Sequence, residues 1–178
     1  MKKTVIKFGI FSSLLMAGGM LVNMHFADAI GYSLAMLAGY TVMVISFLMV
    51  FFGVRSYRDK MNDGVITFGQ AFKVGSMIAL MSCLVYVGTW LILYYNFMPD
   101  FFSKYGAYQV QQMKDAHATQ ADIDAAVKEM THYVELYKNP FINAAMTFLE
   151  PLPVALVMSL LAALILKKKK KVESPVIA

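Results

Sequence analysis

Hydrophobic residues along the chain fall into long uncharged windows separated by short polar or basic stretches. Four windows are long enough to cross a bilayer: Phe8 to about Met24, Ala29 to Val54, Val74 to about Phe97, and Pro140 to Leu166. A hydrocarbon core of about 30 Å takes roughly 20 residues at about 1.5 Å each. Unpaired backbone groups find no partner in lipid, so each window is expected to be a helix. The short alternating segments that build a membrane barrel do not occur.

Residues 98–139, between the third and fourth windows, are too many for a bare loop. They read as two helices. Pro99 and Asp100 open the first, with Phe101, Phe102, Tyr105, Tyr108 and Met113 gathered on one face. Thr119 and Asp122 resemble a capping pair for the second, and behind them Ile123, Val127, Met130, Val134 and Tyr137 recur at helical spacing. Asn139 before Pro140 fits an N-cap with a first-turn proline opening the fourth window. The predicted fold is an all-α integral membrane protein with four transmembrane helices and a helical hairpin outside the membrane between helices three and four.

In lipid, helices gain little from burying apolar surface against each other, so small residues that allow close backbone approach matter most. Each window carries such a stripe: Gly9, Ser13 and Ala17; Gly31, Ala35 and Gly39; Gly75, Ala79 and Cys83, flanked by Ser76 and Ser82; Ala155, Ser159 and Ala163. They suit a compact bundle, and equally a homo-oligomer or a membrane-protein partner.

Composition sharpens the picture. Of 178 residues, 59% are hydrophobic and 15% charged, against about 25% charged in an ordinary soluble domain. Cys83 is the single cysteine, so no intrachain disulfide forms. The net charge of +5 is compatible with nucleic acid or with an acidic lipid surface, and its distribution decides for lipid. Lys2, Lys3 and Lys7 precede the first window; Arg55, Arg58 and Lys60 follow the second; Lys73 opens the third; Lys167, Lys168, Lys169, Lys170 and Lys171 follow the fourth. The connection 98–139 holds four lysines against six acids. All dense basic clusters share one side if both termini are cytoplasmic. There they meet anionic headgroups, with residues 167–178 as a basic cytoplasmic tail. Ala27-Asp28-Ala29 also resembles a signal-cleavage site, but the window before it nears full span length, and retention is expected.

Candidate chemistry is sparse. Glu150 is the one acid inside a window and sits in the run F-L-E-P-L-P-V, beside Pro151 and Pro153. Intramembrane acids are functional candidates by default. Counting outward from Leu166 places Glu150 near the outer boundary, and the two prolines remove backbone donors to Thr147 and Leu149 and bend the helix. Two readings stand: a structural interfacial acid beside a kink, or a proton- or ligand-linked group that meets Tyr94, Tyr95 or His25. Trp90, Tyr94 and Tyr95 suit an outer aromatic belt, and Lys73 a snorkelling role. His25, His117 and His132 have no metal-ligand spacing, and no phosphate loop, nucleophile elbow or cysteine pair occurs. No cofactor, metal or catalytic residue is expected.

The runs G-V-R-S-Y-R-D (Gly53–Asp59), G-V-I-T-F-G-Q-A-F-K-V-G (Gly64–Gly75), Y-Y-N-F-M-P-D-F (Tyr94–Phe101) and Y-K-N-P (Tyr137–Pro140), then M-T-F-L-E-P-L-P-V, form an ordered set across nearly the whole chain. Together they resemble the bacterial domain-of-unknown-function family 4199, small four-span membrane proteins. The resemblance implies four helices in the inner membrane of Gram-negative bacteria and carries no activity or site residue. The expected function is a non-catalytic accessory or scaffold component of that membrane. A small transporter or channel component, with Glu150 in a polar path, is the alternative.

Overall fold

The computed structural model describes residues 1–168, the side chain of Asp28 excepted, so Lys169, Lys170 and Lys171 lie outside the described residues. The regular elements among these residues are seven helices: α1 Lys2–Ile30, α2 Tyr32–Met61, α3 Phe68–Asn96, α4 Phe101–Asp115, α5 Gln120–Tyr137, α6 Pro140–Leu149 and α7 Leu152–Leu166. Four stretches are long and apolar enough to cross a membrane: Lys2–Ala27, Tyr32–Met61, Phe68–Asn96 and Pro140–Leu166, the last being α6 and α7 in succession.

The first reversal differs from the one implied by the gap between the first two windows, from about Met24 to Ala29. The α1 helix runs on through it, and the chain turns at Gly31 alone, with φ 81° and ψ 147°. Residues with a Cβ seldom adopt that backbone. Gly31 thus leaves the small-residue stripe assigned to the second window and becomes a one-residue hinge. Its amide donates to Ala27 O at 2.9 Å and its carbonyl accepts from the Ala35 amide at 3.0 Å, so neither helix end is left open.

Elsewhere the caps follow the side chains. Thr67 and Gln70 close a reciprocal capping box on α3, at 3.3 and 3.2 Å, which starts that helix at Phe68 rather than Val74. Thr119 accepts from the Asp122 amide and Asn139 from the Phe141 amide, opening α5 and α6.

The contact register fixes α1 and α2 as antiparallel: Asn23 bonds Ala35 O, Ser12 bonds Ser46 O at 2.8 Å, and Phe8 lies against Gly53. The α3 helix is central and packs on α1, α2, α6 and α7. Phe47, Val50, Val54, Val74 and Ile78 are wholly buried in the half that holds the start of α1 and the end of α7. A Cβ added at Gly75 would lie 3.1 Å from Val50 Cγ1 and 3.5 Å from the Ser159 Cα, which shows how near the α3 and α7 backbones come. Leu14, Leu37, Leu84 and Ile165 point outward from the four stretches and stay exposed.

The two ends differ in charge. Phe8 beside Gly53 brings the start of α1 level with the end of α2. Ile66 exchanges two backbone hydrogen bonds with Lys168, and Arg58 Nη1 reaches the Leu166 carbonyl at 3.4 Å. Lys2, Lys3, Lys7, Arg55, Arg58, Lys73, Lys167 and Lys168 therefore gather at one end. At the other end α4 and α5 pack on each other, and a Cβ at Gly106 would sit 2.6 Å from Met130 Cγ. Ser33 and Tyr108 share a hydrogen bond of 3.0 Å there, tying α4 to the start of α2.

Gly75→Leu is expected to destabilise the fold by about 2 kcal/mol or more, since overpacking against Val50 and the Ser159 backbone forces the helices apart. Gly88→Leu, where an added Cβ meets nothing within 4 Å, should leave the detergent-solubilised melting temperature near that of the parent.

Candidate functional site

The run from Leu149 to Leu152 interrupts the last apolar stretch. Glu150 and Pro151 separate α6 from α7 while their backbones stay in the right-handed helical region, φ −65° and −76°. The result is a break without a reversal. Pro151 is wholly buried and cannot donate to Thr147; Pro153, on the exposed side, cannot donate to Leu149. The helix resumes when the Ala155 amide donates to Pro151 O at 2.9 Å.

Glu150 does not meet Tyr94, Tyr95 or His25. Its Oε2 accepts a 2.7 Å hydrogen bond from Tyr86 OH. Tyr86 lies ten residues before the end of α3, about 15 Å along the helix axis. Glu150 keeps exposed surface, and its carboxylate is paired part-way along α3 rather than at the level of the tyrosines near that helix's end.

Around this pair lies a cavity of about 350 Å³. Met20 and Met43 contribute to its walls from α1 and α2, and Trp90, Phe101 and Tyr137 from α3, α4 and α5. Asn23 borders it as well: its Nδ2 donates to Ala35 O at 2.9 Å, while its Oδ1 is sealed from solvent and accepts no hydrogen bond. Burial pushes the Tyr137 phenol above its ordinary pKa, and the charge of Glu150 adds to that, so the ring remains a neutral hydrogen-bond donor.

A buried network holds the walls in place. Trp90 Nε1 donates to Asn143 Oδ1 at 3.0 Å, and Thr147 Oγ1 donates to the same oxygen at 3.2 Å. Asn143 Nδ2 reaches Tyr137 O at 3.4 Å, and Tyr95 OH donates to that carbonyl at 2.8 Å. Trp90 and Tyr94 are 7% and 6% exposed, so they are not an outward-facing belt. The cause is α4: Phe101 packs edge-on against Trp90 at 5.2 Å between centroids, and Phe102 lies 4.3 Å from Tyr137.

The basic candidates lie at the opposite end and take no part in the cavity. Arg58 Nε bonds Asp59 at 2.6 Å, and Arg55 lies 3.7 Å from the same carboxylate. Arg58 also meets the Leu166 carbonyl at the end of α7, where a cation complements the helix dipole. Lys73, Lys167 and Lys168 are exposed. Among the described residues no three His, Cys, Asp or Glu side chains are grouped to hold a metal ion.

Sequence reasoning singled out Glu150 and its prolines but missed Tyr86, Asn23 and Asn143. The available signal was polarity in an apolar window, since Asn143 and Tyr86 interrupt long hydrophobic runs. Which polar groups would face each other was not encoded in spacing.

A helical protein with four membrane-length apolar stretches and an interhelical cavity is the class that fold and site define. A family model described as protein of unknown function, DUF4199, matches residues 6–168, and the chain belongs to that family. No curated protein matches the chain. No solved structure matches it either.

Asn143→Leu strands the Trp90 indole N–H and the Thr147 hydroxyl in a buried setting. It should lower stability by about 1–3 kcal/mol, measured as a reduced thermal midpoint in detergent.

Proposed function

We propose that the chain is a non-catalytic, four-span protein of the bacterial inner membrane, with both termini cytoplasmic and the α4–α5 hairpin on the far side. It acts there as an accessory or scaffold component. The observation that carries this reading is the pairing of outward-facing apolar faces on all four long stretches with a cluster of cations at one end only. Apolar faces of this extent are met by lipid or by other membrane helices. A one-sided cationic end matches the cytoplasmic leaflet, whose anionic headgroups attract Lys and Arg. Glu150 shares its cavity with tyrosines and the Asn23 amide but with no His, Lys or second carboxylate among the described lining residues, which argues against acid–base chemistry.

A transporter or channel component is the second reading, favoured by the placement of Glu150 on a cavity. Transport requires a path that continues through the protein. Here the half beyond the cavity is filled by Phe47, Val50, Val54, Val74 and Ile78, all without exposed surface. That packing supports a blind-ended pocket over a conduit.

Cysteine labelling tests the orientation. Ala116→Cys, between α4 and α5, is expected to react with a membrane-impermeant maleimide in intact spheroplasts, and Met61→Cys only after lysis. The native Cys83 is buried and gives little background. The reverse pattern would refute the proposed direction. Purification in mild detergent is expected to yield a defined homo-oligomer or a stoichiometric partner; a monomer at every concentration without a partner would count against the scaffold role.

A further inference from the structure

We propose that the cavity beside Glu150 binds an ammonium group carried on an apolar body, with the ammonium against the Glu150 carboxylate. At about 350 Å³ the cavity falls within the size range of small-molecule sites. Its polar groups are arranged for a donor of positive charge. Tyr86 occupies one carboxylate oxygen, and no Lys, Arg or His is among the described lining residues, so no protein cation there balances the charge. Asn23 borders the cavity, but its Oδ1 has no surface open to it, so the acceptor a ligand meets is the Glu150 carboxylate. A net negative charge in a largely apolar chamber leaves the matching donor to be brought by the ligand.

The walls favour the same chemistry. Methionine thioethers adapt to irregular apolar shapes, and Trp90, Phe101 and Tyr137 add aromatic rings, a residue type that attracts cations as well as hydrocarbon. An anion would confront Glu150 with nothing to offset either charge. A zwitterion would bring a phosphate or carboxylate into a chamber without a cation to pair it. A singly charged amine with an apolar body satisfies the chamber without either penalty. The site stands on the cavity and not on the direction of the spans, so a reversed topology would leave it in place.

Trp90 is the single tryptophan of the chain and lines the cavity, so its fluorescence reads occupancy directly. The full chain in phosphatidylglycerol nanodiscs is titrated with 2-phenylethylammonium and, separately, with 2-phenylethanol, a neutral molecule of nearly the same shape. A saturable change with the ammonium, at an affinity about tenfold or more above that for the alcohol, is expected. Glu150→Gln should weaken the ammonium by about tenfold or more and the alcohol by no more than about twofold. Equal affinity for the two probes overturns the proposal. That comparison uses the parent protein and needs no variant. An unchanged ammonium affinity in a folded Glu150→Gln protein overturns it too. Nanodiscs containing phosphatidylethanolamine test the exclusion of zwitterions, because that headgroup carries a phosphate beside its ammonium. Competition by that lipid overturns the preference for a singly charged amine, and absence of competition upholds it.

Discussion

Close approach of helix backbones at small residues holds this molecule together, and its other features follow from where that approach is possible. The α3 helix is the axis. Gly75 lets it lie against Ser159 of α7 and Val50 of α2, and Gly53 lets α2 accept Ile78 of α3 and Phe8 of α1. In a lipid setting such contacts are the main source of association, because apolar side chains gain little by leaving lipid for protein. They are concentrated in the half of the molecule that holds the start of α1 and the end of α7, where Phe47, Val50 and Val74 are fully enclosed.

The opposite half is built differently. The last long stretch is interrupted at Glu150 and Pro151, and α6 and α7 pack on α3 as separate segments. Two polar links run from this stretch to α3: the Tyr86–Glu150 hydrogen bond and the Trp90–Asn143 pair. Hydrogen bonds hold helices at a distance set by side-chain length, whereas glycine contacts draw backbones together. A chamber remains, and the aromatic face of α4 closes over it through Phe101 and Phe102. The kink, the polar pairs and the aromatic cover are three parts of one arrangement.

Membership in the DUF4199 family places the chain among proteins whose shared description names no activity. The cavity therefore supplies the chemistry that a family name does not. The ligand proposed above would be recognised through the Glu150 carboxylate and the aromatic residues that line the cavity. On the proposed scaffold reading, such a pocket would let a small molecule alter how the helices sit against partners.

The sequence by itself determined the four membrane-length apolar stretches, the helical character of the segment between the third and fourth, and the sites of its caps at Thr119 and Asn139. These depend on local rules: hydrophobic run length, i to i+3 and i+4 spacing, and side chains that bond the nearest backbone amides. It also marked Glu150 and its prolines as a break, since a missing amide donor is a local property. Only the tertiary structure decided that α1 and α2 turn at Gly31 alone, that Trp90 and Tyr94 lie beneath α4 rather than facing outward, and that Tyr86 is the partner of Glu150. Those outcomes depend on the rotation and depth of one helix against another. Many side chains several residues apart contribute to that rotation, and no single spacing along the chain records their sum.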